Sequence, residues 1–229
     1  IVALVQPPAV NLLYRILRLA WKFIFFQTMR IHCINPDVID RPGGYVLAVT
    51  HLSHLEVVCV GVMARRQIHW ISRKEFYTHW LSRLLLNLLG CIKVDRQGVS
   101  VSSIRSAIEH VREGKIVGIF PEGGVVRGDE LVIRGGAIKR GMCSIAIRGG
   151  VPIVPVVVLG VDRLNCVGPW LPFKRAKVWI AYGEPIYPPD GTRSTRQTRE
   201  QLADRARASY QDLYAQLQRK FGVRDCDVP

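Results

Sequence analysis

Two rhythms of apolar residues alternate along this chain. Short unbroken apolar runs predict strands over residues 45–50 (YVLAVT), 68–72, 91–94, 116–120, 151–159 (VPIVPVVVL) and 177–182. Between them, apolar residues recur at helical spacing. Helices are predicted from the stretch after His51 through residue 64, and over 77–89, 100–113, 137–148 and 195–221. Gly90 and Gly114 stand where the second and third of these should stop. In the last, Leu202, Ala206, Tyr210, Leu213, Leu217 and Phe221 share one face. Strands alternating with helices predict an α/β fold, a single domain with a central mostly parallel or mixed sheet flanked by helices.

Ahead of this pattern lies a different segment. Residues 11–27, NLLYRILRLAWKFIFFQ, predict a helix with Arg15, Arg18 and Lys22 at helical spacing and Leu, Ile, Trp and Phe on the other faces. That is an amphipathic helix suited to a bilayer interface, with cations near lipid phosphates. Residues 1–40 are therefore expected to form a helical membrane-association segment, and 41–229 the α/β domain. Asn35-Pro36 and Arg41-Pro42-Gly43-Gly44 punctuate the join.

Charge narrows the partners. The net charge of +14 favours a polyanion: nucleic acid, an anionic membrane surface or a phosphate-rich substrate. No nucleic-acid motif is present, and the Trp and Phe residues gather in apolar helices rather than basic loops. The six cysteines, at 33, 59, 91, 143, 166 and 226, contain no C-x-x-C pair and mostly sit inside apolar runs. Free thiols are expected, with no metal site. No run of about 18 uncharged apolar residues exists, so no spanning helix is predicted.

The candidate chemistry lies just past the first strand of the domain. His51 follows that strand, and the carboxyl ends of strands are where α/β sheets place reactive groups. Ser53-His54-Leu55-Glu56 reads as a capping box, with Ser53 at the N-cap and Glu56 at the third helical position. A carboxylate there turns back toward His51, giving a base and its orienting acid. On these residues alone, Glu56 as a plain cap and His51 as a structural residue stand as the other reading.

Four ordered blocks extend the pattern. They are His51 to Glu56; Gly90-Cys91-Ile92-Lys93-Val94-Asp95-Arg96; Phe120-Pro121-Glu122-Gly123-Gly124-Val125-Val126; and Val151-Pro152-Ile153-Val154-Pro155-Val156. In order and spacing they resemble the glycerolipid acyltransferase family typified by 1-acylglycerol-3-phosphate acyltransferase, whose blocks read H-x4-D, G-x-x-x-I-D-R, F-P-E-G-T-R-S and V-P-I-V-P-V. Ser72-Arg73-Lys74-Glu75 and Ala137-Ile138-Lys139-Arg140-Gly141 resemble the family's basic stretches between blocks.

The resemblance implies direct acyl transfer from acyl-CoA or acyl carrier protein, as co-substrate, to a lysophospholipid hydroxyl in phospholipid biosynthesis. His51 would be the base and Glu56 its orienter. Lys74 and the amides around Gly123 and Gly124 would stabilise the oxyanion. Arg96 would bind an acceptor phosphate, and Glu122 the acceptor's glycerol-like hydroxyls. No cofactor, metal or nucleic acid is implied. The expected location is peripheral or monotopic, on the cytoplasmic face of a membrane. Two positions depart from the family: Glu56 replaces Asp, and Gly124-Val125 replace Thr-Arg. Val125 cannot bind a phosphate as the family arginine does, so Arg127 or Arg134 is the expected substitute, and a non-phosphate acceptor is the alternative. Thioester hydrolysis and a non-catalytic basic binding module are the remaining readings.

Overall fold

The structure is a computed structural model that describes residues 12–73, 80, 86, 90–94, 101–165, 175–189, 191 and 193–228. A helix, α1 (Leu12–Thr28), leads into strand β1 (Met29–Ile34). Then come β2 (Tyr45–Val49), α2 (Glu56–Met63), β3 (Ile68–Arg73), β4 (Ile92–Val94), α3 (Val101–Arg112) and β5 (Ile116–Ile119). The chain continues with α4 (Gly141–Gly149), β6 (Ile153–Leu159), β7 (Ala176–Tyr182) and the long α5 (Arg196–Phe221).

The strands form one sheet in the order β1-β7-β6-β2-β5-β3-β4. All pairs are parallel except β6 with β7. The central strands β2, β5 and β6 are buried along their whole length, which explains why each reads as an unbroken apolar run. One core layer joins α3, α4 and α5 to the sheet. The other joins α1 and α2 to the opposite face.

Three details differ from the pattern-based expectation. A strand, β1, falls inside residues 1–40, and its six residues pair with β7, so the sheet begins upstream of residue 41. Residues 137–140 are not helical; short 3-10 turns at Gly128–Glu130 and Val132–Arg134 occupy the approach to α4 instead. Gly135 and Gly136 explain part of this, because Gly136 is packed so tightly on the Glu130 carbonyl that a Cβ would lie 2.0 Å from its oxygen. Helix α2 starts at Glu56, with Leu55 at its N-cap, not Ser53. Most of the helix expected over 77–89 lies outside the described residues.

Helix α1 is docked, not detached. Tyr14 and Phe25 are buried, and Arg18 donates to the Ala64 carbonyl at the end of α2. Its other side shows Ile16, Leu19, Phe23 and Phe26, each more than half exposed. These recur at spacings of three and four, so the helix has a second, unburied apolar stripe. Among the described residues, no helix is long and apolar enough to cross a membrane.

Candidate active site

Strands β2 and β5 are parallel neighbours, with Ala48 beside Ile119, so the chain leaves both at the same edge of the sheet. His51 follows the first exit and Phe120 to Gly124 follow the second. Residues 71 apart in sequence therefore meet at the carboxyl ends of the strands. Thr50 seals the exit of β2 against β6. Its Oγ1 accepts from the Val158 N–H at 2.9 Å and donates to the Val158 carbonyl, while its own N–H donates to the Val156 carbonyl.

The side chain of His51 is buried, with Nδ1 3.6 Å from Oε2 of Glu56, whose side chain is fully buried. Neither atom has another hydrogen-bond partner among the described residues. The other carboxylate oxygen, Oε1, accepts the backbone N–H groups of Leu52 and Ser53 at 2.9 and 2.6 Å. Glu56 thus turns back before the helix as a capping-box carboxylate does, but from the first helical residue rather than the third. Ser53 Oγ accepts the Leu55 N–H instead of an amide inside the helix. The extra methylene of Glu relative to Asp fits this geometry, because one oxygen holds the loop amides while the other reaches the imidazole. A separation of 3.6 Å is slightly long for a hydrogen bond, and such contacts commonly shorten when substrate binds or the imidazole gains a proton.

Glu122 is placed differently from its expected role at the acceptor's hydroxyls. Its carboxylate is buried: Oε2 accepts the His51 N–H at 2.7 Å, and Oε1 the Val132 N–H at 3.3 Å. The Val126 N–H donates in turn to the His51 carbonyl. The third block therefore clasps the main chain of His51 from both sides. Burial pushes the Glu122 carboxyl up to about 7, against the lowering effect of its two amide donors.

Gly123 takes a left-handed conformation (φ 78°), and a Cβ there would lie 3.1 Å from Cγ of Lys139, whose stem covers this turn. The Lys139 N–H donates to the Pro121 carbonyl at 2.7 Å. Of the two amides expected to face an oxyanion, that of Gly123 donates to the Phe120 carbonyl, whereas that of Gly124 meets no internal acceptor among the described residues. Val125 is 43% exposed. Arg127 is exposed and has no ion pair among the described residues, while Arg134 lies 4.0 Å from Asp129. Lys74 and Arg96 lie outside the described residues.

Sequence reasoning missed the aromatic surroundings of His51. Its imidazole stacks on Phe120, with ring centroids 3.8 Å apart and planes 17° apart, and Phe120 in turn stacks on Trp70 at 5.2 Å. The signal was present as a Trp on β3 whose register partner on β5 is a glycine, Gly118. Three of the thiols are held in their protonated form. Burial pushes Cys59 up to about 12 and Cys91 and Cys143 up to about 11, where little thiolate exists near neutrality. No group of His, Cys, Asp and Glu fit to hold a metal ion occurs among the described residues.

Known proteins resemble this chain. The model of the Acyltransferase family matches residues 30–159, more than half of the chain and all four blocks. A 1-acyl-sn-glycerol-3-phosphate acyltransferase of Bacillus subtilis is 33% identical over 180 residues, 78% of this chain and 84% of that protein. The protein of the same name from Salmonella typhimurium is 22% identical, covering 86% of this chain and 78% of its own length. The crystal structure of the 1-acyl-sn-glycerophosphate acyltransferase PlsC from Thermotoga maritima superposes with a TM-score of 0.66 at 20% identity, covering 88% of this chain and 80% of that one, and so shares the fold. With the histidine and its buried carboxylate at the sheet edge and the family model spanning all four blocks, this chain is an acyltransferase of the glycerolipid acyltransferase family.

Proposed function

We propose that this acyltransferase moves a fatty acyl group from acyl-CoA or acyl carrier protein to the free hydroxyl of 1-acylglycerol-3-phosphate, at a membrane surface on its cytoplasmic side. The observation that carries the reading is the pairing of His51 Nδ1 with a carboxylate oxygen of Glu56 that has no other partner among the described residues. A carboxylate on Nδ1 keeps the proton there and leaves the far nitrogen, Nε2, as the base. The names of the curated relatives supply the acceptor.

In the step itself, Nε2 takes the proton of the acceptor hydroxyl as its oxygen attacks the thioester carbonyl. A carbon–oxygen bond forms and the carbonyl becomes an oxyanion, with the Gly124 amide and Lys74 as its candidate donors. The oxyanion then collapses, the carbon–sulfur bond breaks, and the imidazolium returns its proton to the departing thiolate. Glu56 stabilises the imidazolium between these events. No acyl-enzyme forms, in keeping with thiols held protonated by burial. Arg127, with Arg96, is assigned to the acceptor phosphate.

The outer stripe of α1 supports the membrane assignment: Ile16, Leu19, Phe23 and Phe26 are exposed beside Arg15 and Lys22. A neutral lysolipid or alcohol acceptor is the second reading, favoured by the exposed Val125 where the family has arginine. Release of free thiol from a long-chain acyl-CoA, measured with no acceptor, with lysophosphatidate and with neutral lysolipids, tests both. Release that needs lysophosphatidate supports the proposal. Release that needs a neutral acceptor favours the second reading, and equal release without any acceptor makes the chain a thioesterase.

A further inference from the structure

We propose that Phe120 is a positioning residue for the base: Phe120 and Trp70, seated by Gly118, form an aromatic shelf that fixes the plane of the His51 imidazole. This rests on reading His51 as the base.

An imidazole can rotate about two side-chain bonds. The Glu56 contact constrains one atom, Nδ1, and leaves the ring free to swing about that point. A second constraint is needed before Nε2 has a defined direction. Phe120 supplies it as a face, not a point: its ring lies nearly parallel to the imidazole with centroids 3.8 Å apart. A contact at one atom and a contact over one plane together set where the lone pair of Nε2 points. An aromatic face also favours the cation that forms when the base takes a proton, which an aliphatic side chain of the same size does not do.

Phe120 is itself held. It stacks on Trp70, again 17° from parallel, and Trp70 is 4% exposed. Trp70 lies across Gly118, its partner on β5. A Cβ at position 118 would stand 2.5 Å from Cε3 and 2.7 Å from Cδ2 of the indole, and 2.9 Å from Cγ2 of Ile68. Real Cβ atoms do not approach so closely, so the indole would have to move. The backbone of Gly118 is ordinary strand, and the glycine is therefore required by space alone. The chain of contact runs Gly118, Trp70, Phe120, His51, and its first member lies on β5 with Leu47 and Trp70 as its register partners.

The test uses steady-state kinetics on vesicle-presented lysophosphatidate with acyl-CoA, together with proton NMR of the imidazole. In the wild-type protein the His51 ring resonances, identified by their loss in H51A, should be shifted by the ring current of Phe120 and should move back in F120L. With melting temperature preserved, F120L should lower kcat about tenfold or more while KM for both substrates stays within about twofold, as expected when a reacting group is misdirected rather than a substrate lost. F120Y, which keeps the ring, should restore most of kcat. G118A should lower kcat in the same direction with no change at the site's own residues. The proposal is overturned by unchanged His51 resonances in F120L, by kcat within about twofold of wild type, or by a loss confined to KM, which would make Phe120 a wall of the substrate site. Should F120L fail to fold, the resonances of the wild type and of G118A decide alone. Full activity in H51A would instead refute the base, and the ring-current signature would be unaffected by that result.

Discussion

The backbone N–H of His51 donates to Oε2 of Glu122 at 2.7 Å, joining two residues that follow neighbouring strands. Through this bond the third sequence block holds the first, since the same carboxylate also takes the Val132 N–H and the Val126 N–H returns to the His51 carbonyl. Glu56 meets the imidazole at Nδ1, while Glu122 holds the main chain that carries it. Two buried carboxylates thus serve one histidine by different routes.

The dyad gives the first prediction. H51A should lose at least about a hundredfold in kcat, the usual contribution of a positioned general base. E56Q should lose a comparable factor for a specific reason. Its carbonyl oxygen can still accept the Leu52 and Ser53 amides, which leaves its NH2 facing Nδ1. Donation to Nδ1 moves the imidazole proton to Nε2 and removes the base. Melting temperature should change little while turnover collapses. E56D keeps the acid and should stay active; turnover in E56Q near wild type would refute the orienting role.

Glu122 carries a pH dependence of stability. Its folded carboxyl titrates near 7, raised by burial from an ordinary value of 4.5. Between those values the native state binds the extra proton, so the stabilising contribution is complete below 4.5 and is lost as pH rises through 7. Linkage puts the change at roughly 1–3 kcal/mol. Urea unfolding at pH 5 and pH 8 should therefore show a steeper loss for wild type than for E122Q. An equal pH dependence in both proteins would remove Glu122 as the source.

The proposed assignment of Arg127 to the acceptor phosphate can be tested through acceptor choice. R127A should raise KM for lysophosphatidate about tenfold while leaving a neutral acceptor unaffected, because one charge-assisted contact to phosphate is lost. V125R should lower KM for the phosphate acceptor. If R127A changes neither KM, Arg127 does not touch the phosphate.

Much of the site was legible because its blocks sit at strand exits, where short motifs and their order survive as sequence. The unbroken apolar runs at 116–120 and 151–159 marked buried strands correctly. Other features left no local trace. Met29–Ile34 is a half-buried edge strand, its periodicity blurred by the basic and aromatic residues before it. The N-cap moved from Ser53 to Leu55 because the Glu56 carboxylate captures the amides of Leu52 and Ser53, a tertiary arrangement built around His51. Glu122 read as a substrate contact because a motif carboxylate looks the same in sequence whether it faces solvent or backbone amides. Only the burial of its side chain separates the two.

Helix α1 supplies the last prediction. Tyr14 and Phe25 face the domain, whereas Phe23 and Phe26 are about two-thirds exposed. The double substitution F23S/F26S should preserve the melting temperature and weaken sedimentation with anionic vesicles. Salt should release only the electrostatic share, worth about 1 kcal/mol per nearby cation. Unchanged vesicle binding in the double variant would exclude this stripe as the contact.

The sheet order has a consequence for how the enzyme comes into being. Strand β2 leaves the ribosome early, yet both of its neighbours, β5 and β6, are made much later, and β1 waits for β7 at the far edge. Such non-local parallel pairings form slowly, because long stretches of chain must close before any pairing is gained. The histidine is thus synthesised roughly a hundred residues before the strand that seals its loop through Thr50 and Val158. Nascent chains halted before residue 153 should hold every polar member of the described site and yet transfer nothing, so that catalysis switches on only as the sixth strand slots home.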